Sequence, residues 1–489
     1  YRMLETVRAY GAEQLKASGE YERFRHAHRA YFSRMLRKAR PKLRTGEQIE
    51  WIARLTADNE NLLDALRTAI DAGSARVAVQ MVAVLGEYWT MSGRPAEAVS
   101  WMQAALAVPG PTVPLDKAEA LYLLALGRMS TEEDPATSFQ QMIRGLATVR
   151  WMTRRHRMLV DSGIGLFTNA VWAAIRRDKA TCFAELEAAG RHPDPWIRNM
   201  GVMCGAMFRE NEGEIEEMAV NLTIALDGFR ELGDRFGMSM ALRGLAGYKA
   251  GHGEHAEALE SLTEALRLVE ELGTTEGVAQ LLGSSAMSRT ELGDHDGARA
   301  DLERAMRLSE ETGSRGSQAM ALMGLARLAH RTGRFDEAKE LAERGYSMLD
   351  AAAERIAPHG QAALLSQLSR IYASTGDVEQ AQRCGREAVQ LALGTEDMPV
   401  AAAVVETSVD SLVLAARTQA AELTAAARTL GLAAAIKGTR AIPDADVQRL
   451  VDGLRDALGN EAYETAYDEG AALTRIDAVA ELRKRYATD

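Results

Sequence analysis

The chain has 489 residues and a net charge of −11, with aromatic residues making up only 6%. Ala and Leu dominate, prolines number 11, and no alternation of β-branched with polar residues is long enough for a sheet, which excludes a β-rich fold. Three cysteines without a CxxC pair (Cys182, Cys204, Cys384) argue against a disulfide framework and for a reducing cytoplasm, and no apolar run reaches the roughly 18 residues of a membrane span.

The first segment is basic. Residues 1–44 hold 12 Lys and Arg against 4 Asp and Glu, so the acidic excess lies beyond them. Such a start is either a solvated helix surface or a face turned to an acidic neighbour or nucleic acid. The pattern predicts a short strand over Tyr1–Arg8 and helices at about 9–18 and 20–40. Trp51-Ile-Ala-Arg-Leu55 and Ala57-Asp-Asn-Glu-Asn-Leu62 then lead into a repeat. The chain starts at Tyr1 without a signal-peptide pattern, as expected of a piece of a longer polypeptide.

The repeat has a period of 40. Gly213, Gly253, Gly293 and Gly333 keep that spacing, and Gly376 follows after 43. Gly253-Glu-His-Ala-Glu-Ala258 has counterparts in Gly293-Asp-His-Asp-Gly-Ala298, Gly333-Arg-Phe-Asp-Glu-Ala338 and Gly376-Asp-Val-Glu-Gln-Ala381. A second small residue follows seven positions on, at Ala265, Ala305, Gly345 and Ala388. That spacing puts both on one helical face, where another helix can approach closely. Gly93-Arg-Pro-Ala-Glu-Ala98 with Ala105 fits the same template. Between Gly93 and Gly213 the glycine is lost, and Asp134-Pro135 and Arg177-Asp178 fall near the two expected turns. The phase predicts helical pairs at about 75–107, 116–150, 157–190, 195–232, 235–272, 275–312, 315–352 and 358–394, and a ninth, degenerate pair at 399–436. Val108-Pro-Gly-Pro-Thr-Val-Pro114 is the one marked breaker and a candidate hinge. After Pro443 the rhythm stops, and short helices cap the open end. The expected fold is all-α: a right-handed superhelical solenoid of about nine pairs over 46–440, after a basic segment at 1–45 and before a helical cap at 441–489.

These repeats resemble the tetratricopeptide (TPR) pattern, lengthened to 40 residues by longer helices. The ends carry a second resemblance. Tyr1-Arg-Met-Leu-Glu-Thr-Val-Arg8-Ala-Tyr10 and Asp58-Asn-Glu-Asn-Leu-Leu63-Asp-Ala-Leu66 look like the segment after the winged-helix region of bacterial STAND regulators, the AfsR-like and LuxR-type large ATP-binding transcription factors. Leu458-Gly-Asn-Glu-Ala-Tyr463, Tyr467-Asp-Glu-Gly470 and Ala472-Leu-Thr-Arg-Ile-Asp-Ala478 resemble their C-terminal close. The resemblance implies DNA-binding and P-loop modules upstream of a TPR sensor arm. Here no GxxxxGK[ST] occurs, nor any Gly-Lys dipeptide, so no phosphate cradle is expected, and no helix-turn-helix signature stands out.

Nothing in the sequence points to an enzyme, a cofactor or a metal. His252 and His255 flank a turn glycine, and only His255 has a counterpart, His295, one repeat on; a zinc site needs three or four ligands. Cys182 takes the place of Ala258 if Arg177 stands for the turn glycine, which makes it a core thiol. In TPR solenoids the first helix of each pair faces a concave groove. The geometry carried over from the resemblance puts groove positions six and three before, and one after, the small residue of that helix. These are Met200, Met203 and Met207; Met240, Arg243 and Gly247; Gln280, Gly283 and Met287; Met320, Met323 and Arg327. Flanking repeats add Ile164, Phe167 and Val171, then Ala363, Ser366 and Arg370. Methionine suits surfaces that fit variable apolar partners, although long helices can equally bury it against the next repeat. The expected function is a cytoplasmic sensory and interaction arm that binds a peptide, protein or small-molecule effector in the groove and biases an upstream ATPase. The rivals are a stand-alone scaffold and a TPR-class peptide receptor. Neither membrane nor direct nucleic-acid binding is expected of this part.

Overall fold

A left-handed glycine stands at most of the tight turns in the computed structural model, which describes residues 5–131, 135–156, 159–160, 162–350, 358–395, 397–416, 419–440 and 444–487. No strand occurs among the described residues. The helices are α1 (Glu5–Ala17), α2 (Tyr21–Ala39), α3 (Gln48–Ala57), α4 (Asn59–Asp71), α5 (Ala75–Met91), α6 (Pro95–Ala107), α7 (Pro114–Thr131) and α8 (Pro135–Thr153). They continue as α9 (Ile164–Ile175), α10 (Lys179–Ala189), α11 (Pro195–Glu212), α12 (Ile215–Leu232), α13 (Arg235–Gly251), α14 (His255–Leu272), α15 (Thr275–Glu291) and α16 (His295–Thr312). The last are α17 (Arg315–Arg331), α18 (Phe335–Asp350), α19 (Pro358–Ser374), α20 (Val378–Thr395), α21 (Met398–Ala416), α22 (Ala420–Lys437), α23 (Ala445–Leu458), α24 (Asn460–Ala471) and α25 (Arg475–Arg485). The strand expected at Tyr1–Arg8 is instead helical from Glu5, and residues 1–4 lie outside the described residues, as do Asp134 and Pro443.

The turn glycines explain the period. Gly213, Gly253, Gly293, Gly333 and Gly376 have φ of 77°, 79°, 79°, 76° and 80°. At Gly253, the amide donates to Ala250 O and Glu254 N donates to Lys249 O, 3.0 and 2.9 Å, which closes the helix end. Halfway between them lies a second set that the sequence reading did not use: Gly233, Gly273 and Gly313, with φ of 73°, 73° and 70°. From Gly213 to Gly333 the cadence is therefore one left-handed glycine every 20 residues, at both turns of these repeats. No atom would meet an added Cβ at Gly253, Gly273, Gly293, Gly313 or Gly333, so backbone conformation, not space, selects glycine there.

Arg177 has φ 59° and is the one non-glycine with positive φ among the described residues. The chain bends there as the glycines do elsewhere, at the steric cost an L side chain incurs in that region. Arg177→Gly is expected to raise the unfolding free energy by about 1 kcal/mol; a urea midpoint at or below wild type would contradict this.

Packing divides the chain into two compact units, Tyr1–Gly201 with Gly228–Arg235, and Val202–Asp227 with Phe236–Asp489. Both halves of the Pro-rich stretch lie inside the first. In the first unit α5 is sunk deepest, with Met81, Leu85, Tyr88 and Trp89 fully buried. In the second unit the small residues carry the helix contacts: Ala258, Ala265, Ala298, Ala338, Ala381 and Ala388 are all buried. Around them Leu242, Leu262, Leu268 and Leu282 form one cluster, and Leu364, Leu368, Val389 and Val405 another. Cys182, in the first unit, is buried at the small-residue position that its phase assigns. No described helix is long and apolar enough to cross a membrane.

Candidate functional site

The first helices of consecutive repeats in the second unit bring charged residues to a common face. Arg327 and Arg331 are four apart on α17, hence on one side of that helix. Glu291 ends α15, Arg370 lies on α19 and Asp410 on α21. Into this set comes the start of α23, a cap helix outside the repeat, with Asp444 and Asp446.

Arg370 is only 2% exposed. Its Nε donates to Asp410 Oδ2 at 2.9 Å and its Nη1 to Asp444 Oδ2 at 3.0 Å. Arg331 donates from Nη1 to Asp446 Oδ1 at 3.0 Å and from Nη2 to Glu291 Oε2 at 3.2 Å. Arg327 donates to Glu291 Oε1 at 3.1 Å and lies 3.5 Å from Asp444. The other oxygen of Asp444 caps α23 by accepting from Asp446 N and Val447 N, 2.8 and 3.3 Å. Ala445 N donates to Glu291 at 3.4 Å, and Arg449 of α23 pairs with Asp446. Three guanidinium groups thus hold two carboxylates of the solenoid and two of the cap helix.

Electrostatics follow from this crowding. Burial alone would raise the Asp444 carboxyl, but Arg370 and Arg327 hold it well below the usual carboxylate range. Asp410 is pushed up by burial despite Arg370. His330 accepts or donates at Ser374 Oγ (2.6 Å) and stands 3.8 Å from Asp446. Burial, then Arg370, Arg449 and Arg331, lower its pKa to about 4, against the partial opposition of Asp444. A folded-state pKa below the unfolded 6.5 means that stability is full above pH 6.5 and is lost as the pH falls towards 4, by up to about 3 kcal/mol. Asp410, shifted upward, works in the opposite direction, so the imidazole is isolated by comparison with His330→Gln. That variant is expected to flatten the urea stability profile between pH 6.5 and 4.5; an unchanged slope would refute the assignment.

The positions predicted for a groove divide between exposed, half-buried and buried. Met207, Met287 and Met320 are about half exposed, at 48, 50 and 50%. Arg243 is exposed and donates to Gln280 on the next first helix at 3.4 Å, which ties two of these positions together. Met240 is half-buried. Met203 and Met323 are sealed in the core at 2 and 4% and line no surface. Both sit three before the reference alanine. At about 100° per residue that position lies some 40–60° to one flank of the other two, and it is buried where it carries Met203 or Met323 but exposed where it carries Arg243. Arg327 and Arg370 are present on the face, but already paired within the chain. In the first unit Phe167 and Met200 are half-buried, as is Val171, and Ile164 is buried. Sequence reasoning missed Glu291, Arg331, Asp410, Asp444 and Asp446. The one available signal was the spacing of Arg331 four residues after Arg327.

Residues 277–351 match the tetratricopeptide repeat family model. The chain is an all-α, TPR-like solenoid. A crystal structure of a Rap protein complexed with competence and sporulation factor is similar over 75% of this chain and 98% of that one, with 13% identity and a TM-score of 0.52. A STAND (signal transduction ATPase with numerous domains) protein with a tetratricopeptide repeat sensor, from Pyrococcus horikoshii, aligns over 81% of this chain and 55% of that one, with 13% identity and a TM-score of 0.44. The apo form of RapI aligns over 72% and 96%, with 12% identity and a TM-score of 0.42. At these identities the likeness is one of fold. No curated protein sequence matches the chain.

The first unit has a charged inset of its own. Arg40, the C-cap of α2, donates to Asp116 at 2.9 Å and pairs with Glu119, both on α7. Arg44, from the 3-10 turn Lys42–Arg44, pairs with Glu87 of α5 and lies 3.9 Å from the Trp196 ring centroid. Gln48 is fully buried, donating to Leu43 O and Asp234 (2.7 and 2.9 Å) and accepting from Arg235 N (3.0 Å). Part of the basic charge of residues 1–44 therefore meets an acidic neighbour within the chain. The HxxH histidines do not converge: His252 stacks on Tyr248 at 4.3 Å and bonds its carbonyl, while His255 begins α14. Among the described residues no group of three or more His, Cys, Asp or Glu could hold a metal.

Proposed function

We propose that this chain is the sensory and protein-interaction arm of a STAND-type, ATP-dependent transcriptional regulator, and not an enzyme. In this reading it binds a peptide, protein or small-molecule signal on the face formed by the first helices. The observation that carries it is that this face already holds polypeptide: the start of α23 is seated on Arg327, Arg331 and Arg370, although it belongs to no repeat. Such a surface is built to recognise chain segments by charge-assisted hydrogen bonds. Elsewhere on the first helices, half-exposed Met207, Met287 and Met320 offer adaptable apolar contacts. The solution of a Rap protein with a bound factor is in keeping with ligand binding on this type of fold. The regulator assignment rests on the resemblance at Tyr1–Tyr10, Asp58–Leu66 and Leu458–Ala478. A ligand seated on the face would shift the population of solenoid conformations and so bias the upstream modules.

The test has two readouts. A thermal-shift screen of peptides and metabolites should find a ligand that raises Tm of the wild-type chain and loses that effect with Met287→Ala, Met320→Ala or Arg243→Ala. A ligand indifferent to all three variants would move the site elsewhere. In the intact polypeptide, that ligand should change ATP hydrolysis. A polypeptide without an ATPase module would instead support the stand-alone scaffold.

A further inference from the structure

We infer that the start of α23 is a displaceable internal occupant, and that the partner recognised by Arg327, Arg331 and Arg370 is an acidic peptide with two carboxylates spaced as in Asp444-Ala-Asp446. This rests on the binding-face reading above and names the partner class and its regulation.

Three observations carry the inference. First, the occupant is foreign to the repeat. Asp444 and Arg370 are 74 residues apart, and Asp446 and Arg331 are 115 apart, so nothing in the local repeat requires their contact. Second, the charge left behind is unbalanced. Without α23, the three guanidinium groups of Arg327, Arg331 and Arg370 face the carboxylates of Glu291 and Asp410, and beyond them Glu406, which Lys437 already pairs, so the vacated face keeps an excess of positive charge and favours an anion. Third, the fit is incomplete. Buried Arg370 Nη2 and Arg327 Nε have no hydrogen-bond partner, and buried Asp446 Oδ2 accepts none, standing 3.6 Å from Arg370 Nη1 and 3.8 Å from His330 Nδ1. Native interiors seldom leave such atoms unmatched, because each loses its hydration without compensation. A partner that presents carboxylate oxygens to both idle donors would therefore make bonds that the internal segment leaves unmade.

A tethered occupant competes at an effective concentration in the millimolar range for short linkers, so a matching free peptide gains access only by binding better or by being abundant. The cap then acts as a threshold. It also has a second anchorage to release: Arg475 of α25 pairs with Glu212 and donates to the Asn211 carbonyl at the turn of Gly213.

The probe is a fluorescein-labelled peptide of residues 440–458, used against the full chain. Binding to the Asp444→Asn/Asp446→Asn chain is expected to be at least tenfold tighter than to wild type, and a probe with both aspartates changed to asparagine should bind neither. Equal binding to both chains, binding of the asparagine probe, or no binding to a folded variant would each overturn the inference. Wild-type chain provides a measurement free of variant misfolding. Excess probe should accelerate hydrogen exchange of α23 amides while those of α13 and α15 stay unchanged, and no acceleration would equally reject displacement. If the probe fails while another ligand stabilises the chain in a Met287- or Arg243-dependent manner, the binding face stands and the internal-occupant inference falls.

Discussion

Arg370→Ala is expected to lower the unfolding free energy of the second unit by about 3–5 kcal/mol, the range for a buried charge pair broken by removing one partner. The guanidinium is 2% exposed and is shared by Asp410 and Asp444. Its removal strands Asp410 between α19 and α21 and Asp444 at the start of α23, both without their main counter-charge. Desolvation of those two carboxylates, more than the lost bonds, sets the size of the effect. The origin can therefore be checked with a second variant. Arg370→Ala combined with Asp410→Asn should cost less than Arg370→Ala alone, since a neutral amide tolerates burial better than an orphaned charge. Urea denaturation of the three chains decides the matter. A loss under 1 kcal/mol for the single variant would mean that water reaches the cluster and screens it.

Gly431→Ala should destabilise the C-terminal cap by about 3 kcal/mol, at the upper end for overpacking. Gly431 lies on α22 and Gly470 on α24, at the point where these helices cross. A Cβ on Gly431 would collide with the Tyr467 carbonyl oxygen and come within 2.9 Å of its carbon. One on Gly470 would collide with the Arg428 carbonyl oxygen and lie 2.8 Å from Leu432 N. Every one of these obstacles is backbone, which cannot rotate away as a side chain can, so the helices must separate. Separation would pull Tyr463 and Tyr467 out of the cluster that also holds Leu430, Val447, Val451 and Leu454. Gly453→Ala on α23 is the control. No atom lies within 4 Å of its added Cβ, so it should be neutral or stabilising by about 0.5–1 kcal/mol. Equal urea midpoints for the Gly431→Ala and Gly453→Ala chains would show that the crossing is looser than described.

The second prediction also gives the C-terminal sequence motif a structural role. Tyr463, Tyr467 and Gly470 stood out in the sequence as a C-terminal motif without a visible purpose. In the structure the tyrosines are buried side by side at 5.9 Å between ring centroids, and the glycine lets α24 touch α22. Their spacings of four and three are those of one helical face. The motif was legible in the sequence; the helix it would meet was not.

The groove shows the same limit. Phase placed Met207, Met287 and Met320 on helix surfaces that remain half exposed. It could not tell them from Met203 and Met323, which differ by less than a quarter turn and are buried by a neighbouring helix. Phase also put Arg327 and Arg370 on the common face. It had no means of showing that this face is taken, because the partners lie in a helix that does not share the period.

Within the repeat, the sequence by itself determined the helix pairs and the turns from Gly213 to Gly376, since these depend on contacts within about 40 residues: small side chains seven apart and left-handed glycine. Even Arg177 was placed by counting along that period. Only the tertiary structure decided what the face formed by the first helices of the second unit carries. Asp444 reaches Arg370 across 74 residues, and Arg475 reaches Asn211 across 264. A periodic pattern specifies how each unit stacks on the next. How far the stack turns, and which non-repeating segment then meets it, comes from small angles summed over many helices, and no single residue encodes that sum.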